Sequence, residues 1–172
     1  EYFVTAAAPM NKDVHRWFHA IGIDVTEIYG MTEDTGPATI GVPGNAVESF
    51  SKRLKADSIE VPSVLNPIGK VGIPIPGTEV KVMEDGELCI KGNHVAQGYY
   101  KSDEQTKETF DSEGWLHTGD LAEIDSEGYV KIIGRKKEIL ITSAGKNIAP
   151  VEVEDLIKPH QLIGQICVVG DG

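Results

Sequence analysis

A change of rhythm at Gly69 does most to constrain the fold of this chain. Downstream of it, Gly72, Pro74, Pro76, Gly77, Gly86 and Gly92 break the sequence into runs too short for ordinary helices. The runs that remain, 79–83 and 87–91, alternate in the two-residue period of a half-buried strand. Two more, 121–124 and 129–133, flank Asp125-Ser126-Glu127-Gly128, a hairpin signal with glycine where a positive φ is wanted. The spacing predicts a small antiparallel β-subdomain. One short helix interrupts it, opened by the capping box Ser102-Asp103-Glu104-Gln105 and running to about Phe110.

Upstream the pattern differs. Residues 1–8 read as a strand from the first position, as if the chain opened inside a domain. Asn11 can cap a helix over 12–20, with Val14, Trp17, Phe18 and Ile21 at helical spacing, and Gly22 ends it. Residues 24–29 read as a second strand. Strand, helix, strand in that order suits a parallel, doubly wound sheet. The polar stretch 41–67 reads as a long surface excursion. Near the other end, 138–142 is a strand, Pro150 opens a helix to about Ile157, and 165–169 is a last strand. The fold class is therefore α/β in three parts. Residues 1–66 form the end of a doubly wound α/β domain, 67–134 a β-rich (distorted barrel) subdomain, and 135–172 the start of a small α+β domain that stops part-way.

Charge narrows the choice of ligand. The 172 residues carry a formal net charge of −11 and a pI near 4.8, a surface that repels phosphate backbones and anionic lipid heads. Nucleic acid is thus not an expected partner, and an anionic small molecule would need local backbone N–H groups, arginine, lysine or a metal. With 40% hydrophobic residues, a packed core can form. Cys89 and Cys167 both lie in apolar strand-like runs and read as two buried free thiols, which fits a reducing compartment and a cytoplasmic protein. No apolar run reaches the roughly 18–20 residues of a membrane span, and residues 1–4 lack the pattern of a signal peptide. Peripheral contact with a membrane is left open, as is oligomeric state.

Three strings could carry chemistry. The first, Tyr29-Gly30-Met31-Thr32-Glu33, ends a predicted strand, where ligands gather in open α/β sheets. Tyr29 offers a flat face, Thr32 a hydroxyl for a phosphate oxygen, and Glu33 a hard oxygen ligand suited to Mg²⁺. The alternative is a capped loop. The second is Trp115-Leu116-His117-Thr118-Gly119-Asp120, where Gly119 permits close backbone approach and Asp120 could accept from two sugar hydroxyls. Here the alternative makes Trp115 core and Asp120 a turn residue. His117 has no His or Cys partner at ligand spacing and reads as structural. The third is the basic Gly134-Arg135-Lys136-Lys137-Glu138 followed by Thr142-Ser143-Ala144-Gly145-Lys146-Asn147. Arg135 could fork onto hydroxyls or phosphate, although on this string alone a solvated basic turn is the favoured reading.

Taken in order, these strings and Gly86-Glu87-Leu88-Cys89-Ile90-Lys91-Gly92 leading to Gly98-Tyr99-Tyr100 resemble the adenylate-forming superfamily: acyl-CoA synthetases, peptide synthetase adenylation domains and luciferases. The resemblance covers nearly the whole chain. Gly30-Met31-Thr32-Glu33 and the run 142–150 look most like the long-chain fatty acid–CoA ligase branch. The resemblance implies that the full-length protein joins a fatty acid to coenzyme A through an acyl-adenylate, with ATP, Mg²⁺ and coenzyme A as its small-molecule partners. Ala7, Ala8 and Pro9 would line the adenine side, where relatives often carry Gly in place of Ala6 and Ala7. Tyr29 would pack on adenine, Thr32 would touch the α-phosphate and Glu33 would hold Mg²⁺. Asp120 would bind the ribose hydroxyls with Arg135 assisting, Lys137 would be a hinge, and Gly145 would approach the pantetheine channel. The phosphate loop and the catalytic lysine of such enzymes would lie outside residues 1–172, so the piece alone is expected to be inactive. Other branches remain alternatives: a fatty acyl-AMP ligase, a coumarate-type ligase or a peptide synthetase adenylation domain. So does a non-catalytic nucleotide-binding or scaffolding module.

Overall fold

The computed structural model describes residues 3–42, 66–142 and 147–170. β1 (Phe3–Thr5) leads through α1 (Lys12–Ala20) to β2 (Val25–Met31), which pairs parallel to β1. The Asn11 side chain caps α1 by accepting the N–H groups of Asp13 and Val14. At Gly22 the chain takes φ +83°, which closes the helix as expected. Val14 and Trp17 on α1, and Ile21 just after it, are exposed, while His15 is fully buried. His15 Nε2 lies 2.7 Å from the Val25 carbonyl, which pins the helix to β2.

After β2 the sheet stops being parallel. A 3₁₀ turn (Thr32–Asp34) and a left-handed Thr35 reverse the chain into β3 (Gly36–Ile40), antiparallel to β2, and β4 (Ile73–Pro74) continues that sense. The first sheet is therefore mixed, with order β1-β2-β3-β4. Pattern reading missed this hairpin because a buried carboxylate builds it. Asp34 is fully buried and its Oδ1 accepts the N–H groups of Met31 and Gly36.

The second sheet is the expected antiparallel one. It comprises β5 (Thr78–Val82), β6 (Glu87–Gly92), β7 (Leu116–Ile124) and β8 (Val130–Arg135), in sequence order. α2 (Asp103–Thr109) lies between β6 and β7. Its cap, Ser102, makes no side-chain bond to the helix backbone and instead lies 3.4 Å from Gln105 Oε1. Beyond β8 come a 3₁₀ turn (Lys136–Glu138), the short hairpin β9 (Leu140–Ile141) and β10 (Asn147–Ile148), and α3 (Pro150–Ile157), with proline in its first turn.

Two expectations fail in this last part. Residues 165–169 form no strand: they meet no neighbouring strand among the described residues, and the Val168 N–H donates to Glu154 Oε1 instead. Consequently Cys167 is exposed, whereas Cys89 is buried as expected; both are free. The excursion expected at 41–67 lies mostly outside the described residues.

The two sheets meet at a backbone junction. Val71 N–H donates to the Val130 carbonyl and Val130 N–H donates to the Gly72 carbonyl, both at 2.8 Å. Val71, Leu88, Ala122 and Val130 pack as one buried cluster, and Ala38, Ile90 and Leu116 as another. Tyr29 packs against both. Gly72 has φ +94°, and a Cβ there would lie 1.9 Å from the Ile40 carbonyl carbon. Gly72→Ala should therefore destabilise the full-length protein by about 2–4 kcal/mol, through backbone strain and overpacking together. A thermal melt reads the loss directly, and an unshifted melt would mean that this junction is not tightly packed.

Candidate functional site

The loop after β1, the start of α1, the carboxyl end of β2, the middle of β7, β8 and α3 surround one cleft of about 1260 Å³. Of the residues singled out from sequence, Ala7, Ala8, Pro9, Tyr29, Thr32, Asp120 and Arg135 all line it. They come from four stretches of chain far apart in sequence. Ala7 itself holds φ +69°, an uncommon conformation for a residue with a Cβ.

Asp120 is the centre of the polar wall. It is 6% exposed. The Tyr29 hydroxyl donates to its Oδ2 at 2.6 Å, and Arg135 Nε lies 3.0 Å from its Oδ1. The pair Asp120–Arg135 is also in register between β7 and β8. Burial, followed by the hydrogen bond to Asp120, raises the Tyr29 phenol far above its ordinary value, so Tyr29 remains a neutral donor. Asp120 is thus a positioned carboxylate within the sheet and not a turn residue.

Thr32 and Glu33 diverge in the 3₁₀ turn. Thr32 faces the cleft, whereas Glu33 is not among the residues lining it. The Tyr99 hydroxyl donates to Glu33 Oε1 at 2.6 Å, and the Ala96 N–H donates to the Glu33 carbonyl at 2.7 Å. One carboxylate oxygen is thereby oriented and the other accepts no hydrogen bond among the described residues. A hard oxygen on the half-buried Glu33 fits an ion such as Mg²⁺. Among the described residues no group of three or more His, Cys, Asp or Glu forms a metal cage, so such an ion would have to take further oxygens from its substrate and from water.

The basic string divides its labour. Arg135 turns to Asp120. Lys136 Nζ lies 2.6 Å from Asp85 Oδ2 and 2.9 Å from Glu87 Oε2, and these two bonds raise its pKa. Lys137 is exposed in the 3₁₀ turn and does not line the cleft. Gly145 lies outside the described residues.

His117 Nδ1 is 3.4 Å from Glu87 Oε2 and 3.5 Å from Cys89 Sγ. Burial, and then the Glu87 charge, push the Cys89 thiol up to about 11, which makes it an inert sulfur rather than a nucleophile. Trp115 is only half-buried, and Lys81 Nζ stands 4.0 Å from its ring centroid.

Several lining residues escaped the sequence reading. Lys12, Arg16 and Lys131 add positive charge to the cleft, and Val151, Glu152 and Leu156 bring α3 to its edge. Arg16 is partly committed to Asp13 at 2.8 Å. Glu27 also faces the cleft, with burial raising its carboxyl above the usual range. No motif marks these positions. Their one legible signal was periodicity, because Lys12 and Arg16 share a helix face at i, i+4.

The chain is similar to known proteins along nearly its whole length. The chain is 38% identical over 168 residues to long-chain-fatty-acid–CoA ligase FadD15 of Mycobacterium bovis, covering 98% of this chain and 24% of that protein. It thus spans about a quarter of the length of this curated relative. Among solved structures, an ATP-bound RpMatB-BxBclM chimera superposes with a TM-score of 0.77 at 32% identity, over 98% of this chain and 32% of its own. The O-succinylbenzoate coenzyme A synthetase of Bacillus subtilis in complex with AMP gives a TM-score of 0.80 at 24% identity over 100% of this chain and 34% of its own, a likeness of fold. The family model for AMP-binding enzymes matches residues 1–100, well over half of the chain, and the chain belongs to that family.

Proposed function

We propose that this chain builds much of the nucleotide site of a longer enzyme that ligates a long-chain fatty acid to coenzyme A at the expense of ATP, through an acyl-adenylate. The observation that carries the reading is the buried Asp120 carboxylate. Tyr29 and Arg135 hold it at the wall of a cleft large enough for a nucleotide. Names of curated relatives such as FadD15 supply the fatty acid and the thiol acceptor.

In this reading Ala7, Ala8 and Pro9 form the adenine wall, with Tyr29 against the base. Asp120 accepts from the ribose hydroxyls, and Arg135, 3.0 Å away, pairs with the carboxylate and aims it. The carboxylate of the fatty acid attacks the α-phosphorus, the bond to the leaving pyrophosphate breaks, and an acyl-adenylate forms. That step brings anions together, so positive charge is needed. Lys12, Arg16 and Lys131 offer cations at the cleft, Arg16 being paired with Asp13 and Lys131 with Glu123. Thr32 donates its hydroxyl to an α-phosphate oxygen. Glu33, aimed by Tyr99, would hold Mg²⁺, which neutralises phosphate charge when bound. The thiol of coenzyme A then attacks the acyl carbonyl and AMP leaves. Lys137 would be the hinge between the two steps, Gly145 would border the pantetheine channel, and the junction near residue 135 would separate the nucleotide-binding part from a small mobile domain. No helix among the described residues is long and apolar enough to cross a membrane. The two free cysteines support a cytoplasmic location.

The test is pyrophosphate release by the full-length protein across carboxylic acids of graded length, with thioester formation followed separately. We expect release and thioester to peak together on long unbranched acids. Release without thioester would point to an acyl-AMP ligase. A peak on aromatic acids or amino acids would point to another branch, and no release with any acid would leave a binding or scaffolding module.

A further inference from the structure

We propose that Glu87 is a positioning residue for the nucleotide site, acting through a bulge in β7 whose Gly119 backbone N–H it binds from the neighbouring strand. The inference rests on the reading of Asp120 as the ribose-binding carboxylate.

The argument begins with register. Glu87 on β6 faces Leu121 on β7, and Cys89 faces His117. Between those two pairs β6 has one residue, Leu88, while β7 has three: Thr118, Gly119 and Asp120. The extra length must leave the ladder, and β7 bulges there. Bulges re-aim side chains and leave backbone groups without ladder partners. Gly119 takes up the bend with φ +72°.

Three of the groups at the bulge find partners nearby. Thr118 Oγ1 donates to the Leu88 carbonyl at 2.7 Å and accepts the Asp120 N–H at 3.1 Å. The Gly119 N–H has no strand opposite it, and it donates to Glu87 Oε1 at 2.9 Å. A carboxylate has therefore replaced the missing ladder carbonyl at the residue immediately before Asp120.

The same carboxylate reaches the other half of the site. Its Oε2 accepts Lys136 Nζ at 2.9 Å, and His117 Nδ1 lies 3.4 Å from that oxygen. Lys136 follows Arg135, the partner of Asp120. Glu87 thus grips the chain next to both members of the Asp120–Arg135 pair. The Asp85 Oδ1 in turn accepts the Glu87 N–H at 3.1 Å, which fixes the start of β6. Burial would raise the Glu87 carboxyl, but Lys136, the Gly119 N–H and His117 outweigh it and hold it below the ordinary range. It is therefore ionised throughout the neutral range and is a strong acceptor.

If Glu87 sets the aim of Asp120, its loss should blunt recognition of the ribose specifically. The experiment is calorimetric binding of AMP and 2′-deoxyAMP to the full-length protein, read as the ratio of the two dissociation constants. Glu87→Ala, which removes the Gly119 acceptor, should lower that ratio by about threefold or more, and Glu87→Gln, which keeps an oxygen for Gly119, should recover at least half of the loss. If Glu87→Ala does not fold, Glu87→Asp is read in its place with the same threshold, since the shorter side chain cannot span Gly119 and Lys136. Asp120→Ala serves as the reference. Discrimination lost in Asp120→Ala but kept in the Glu87 variants overturns the inference and leaves the function standing, as does an equal loss in Glu87→Ala and Glu87→Gln. Discrimination unaffected by Asp120→Ala, or a wild type that binds neither nucleotide, overturns the functional reading and this inference with it.

Discussion

Lys137→Pro in the full-length protein should leave single-turnover, fatty-acid-dependent pyrophosphate release at a substantial fraction of its normal rate while thioester formation from acyl-adenylate and coenzyme A falls by ~100-fold or more. Lys137 is exposed, does not line the cleft, and lies in the 3₁₀ turn Lys136–Glu138. The cleft residues Asp120 and Arg135 precede it on β7 and β8 and are tied to each other. Proline fixes φ near −65° at its own position and steers the preceding residue out of the helical region. Lys136 would then be held extended and φ at position 137 fixed, and a turn that had to change conformation between the two steps could no longer do so. Misplacing the groups needed for the second step removes its proximity advantage, and no residue that lines the cleft is itself replaced. A melting curve must accompany the kinetics. Equal loss of both half-reactions in a well-folded variant, or loss of neither, would sink the hinge assignment and leave Lys137 a surface lysine.

The second large effect is expected from Asp120→Ala. Removing a charge-assisted acceptor costs on the order of 1.5–3 kcal/mol, so KM for ATP should rise by roughly 10- to 100-fold. The structure adds a second consequence. The Tyr29 hydroxyl donates to Asp120 across the seam between the sheets, and alanine removes that acceptor, leaving Thr118 as its remaining side-chain partner. Loss of the bond should cost a further ~0.5–1.5 kcal/mol of stability, visible as a lower melting temperature. Asp120→Asn separates the two effects. Its amide oxygen can still accept from Tyr29, so the melt should largely recover, while the lost charge keeps KM high. An unchanged KM in both variants would mean that Asp120 serves only to join the sheets.

Local signals in the sequence were sufficient for most elements. The capped helix 12–20, the Gly-ended hairpin at 125–128 and the Pro-initiated helix at 150 depend on neighbours in sequence, and each formed where its turn chemistry placed it. The same holds for the site strings, because glycine beside aspartate at a strand is a local statement about backbone approach. Contacts between distant residues had to decide the rest. The reversal after β2 depends on burying the Asp34 carboxylate against two backbone N–H groups, and no periodicity encodes that. The apolar run 165–169 has strand composition but needs a partner strand to become one, and among the described residues it has none. The amphipathic spacing of α1 correctly announced a helix but not which face turns inward. His15 went in because it could reach a carbonyl of β2, while Trp17 stayed out. Most consequential is the bulge in β7. Thr118, Gly119 and Asp120 are legible as a motif, yet their aim comes from Glu87, about 30 residues away in sequence, whose carboxylate does the work of a missing strand. Residue types and their local order determined which chemistry this chain can hold. Only the tertiary register decided where that chemistry points, because a side chain's direction on a sheet is set by what pairs with its backbone.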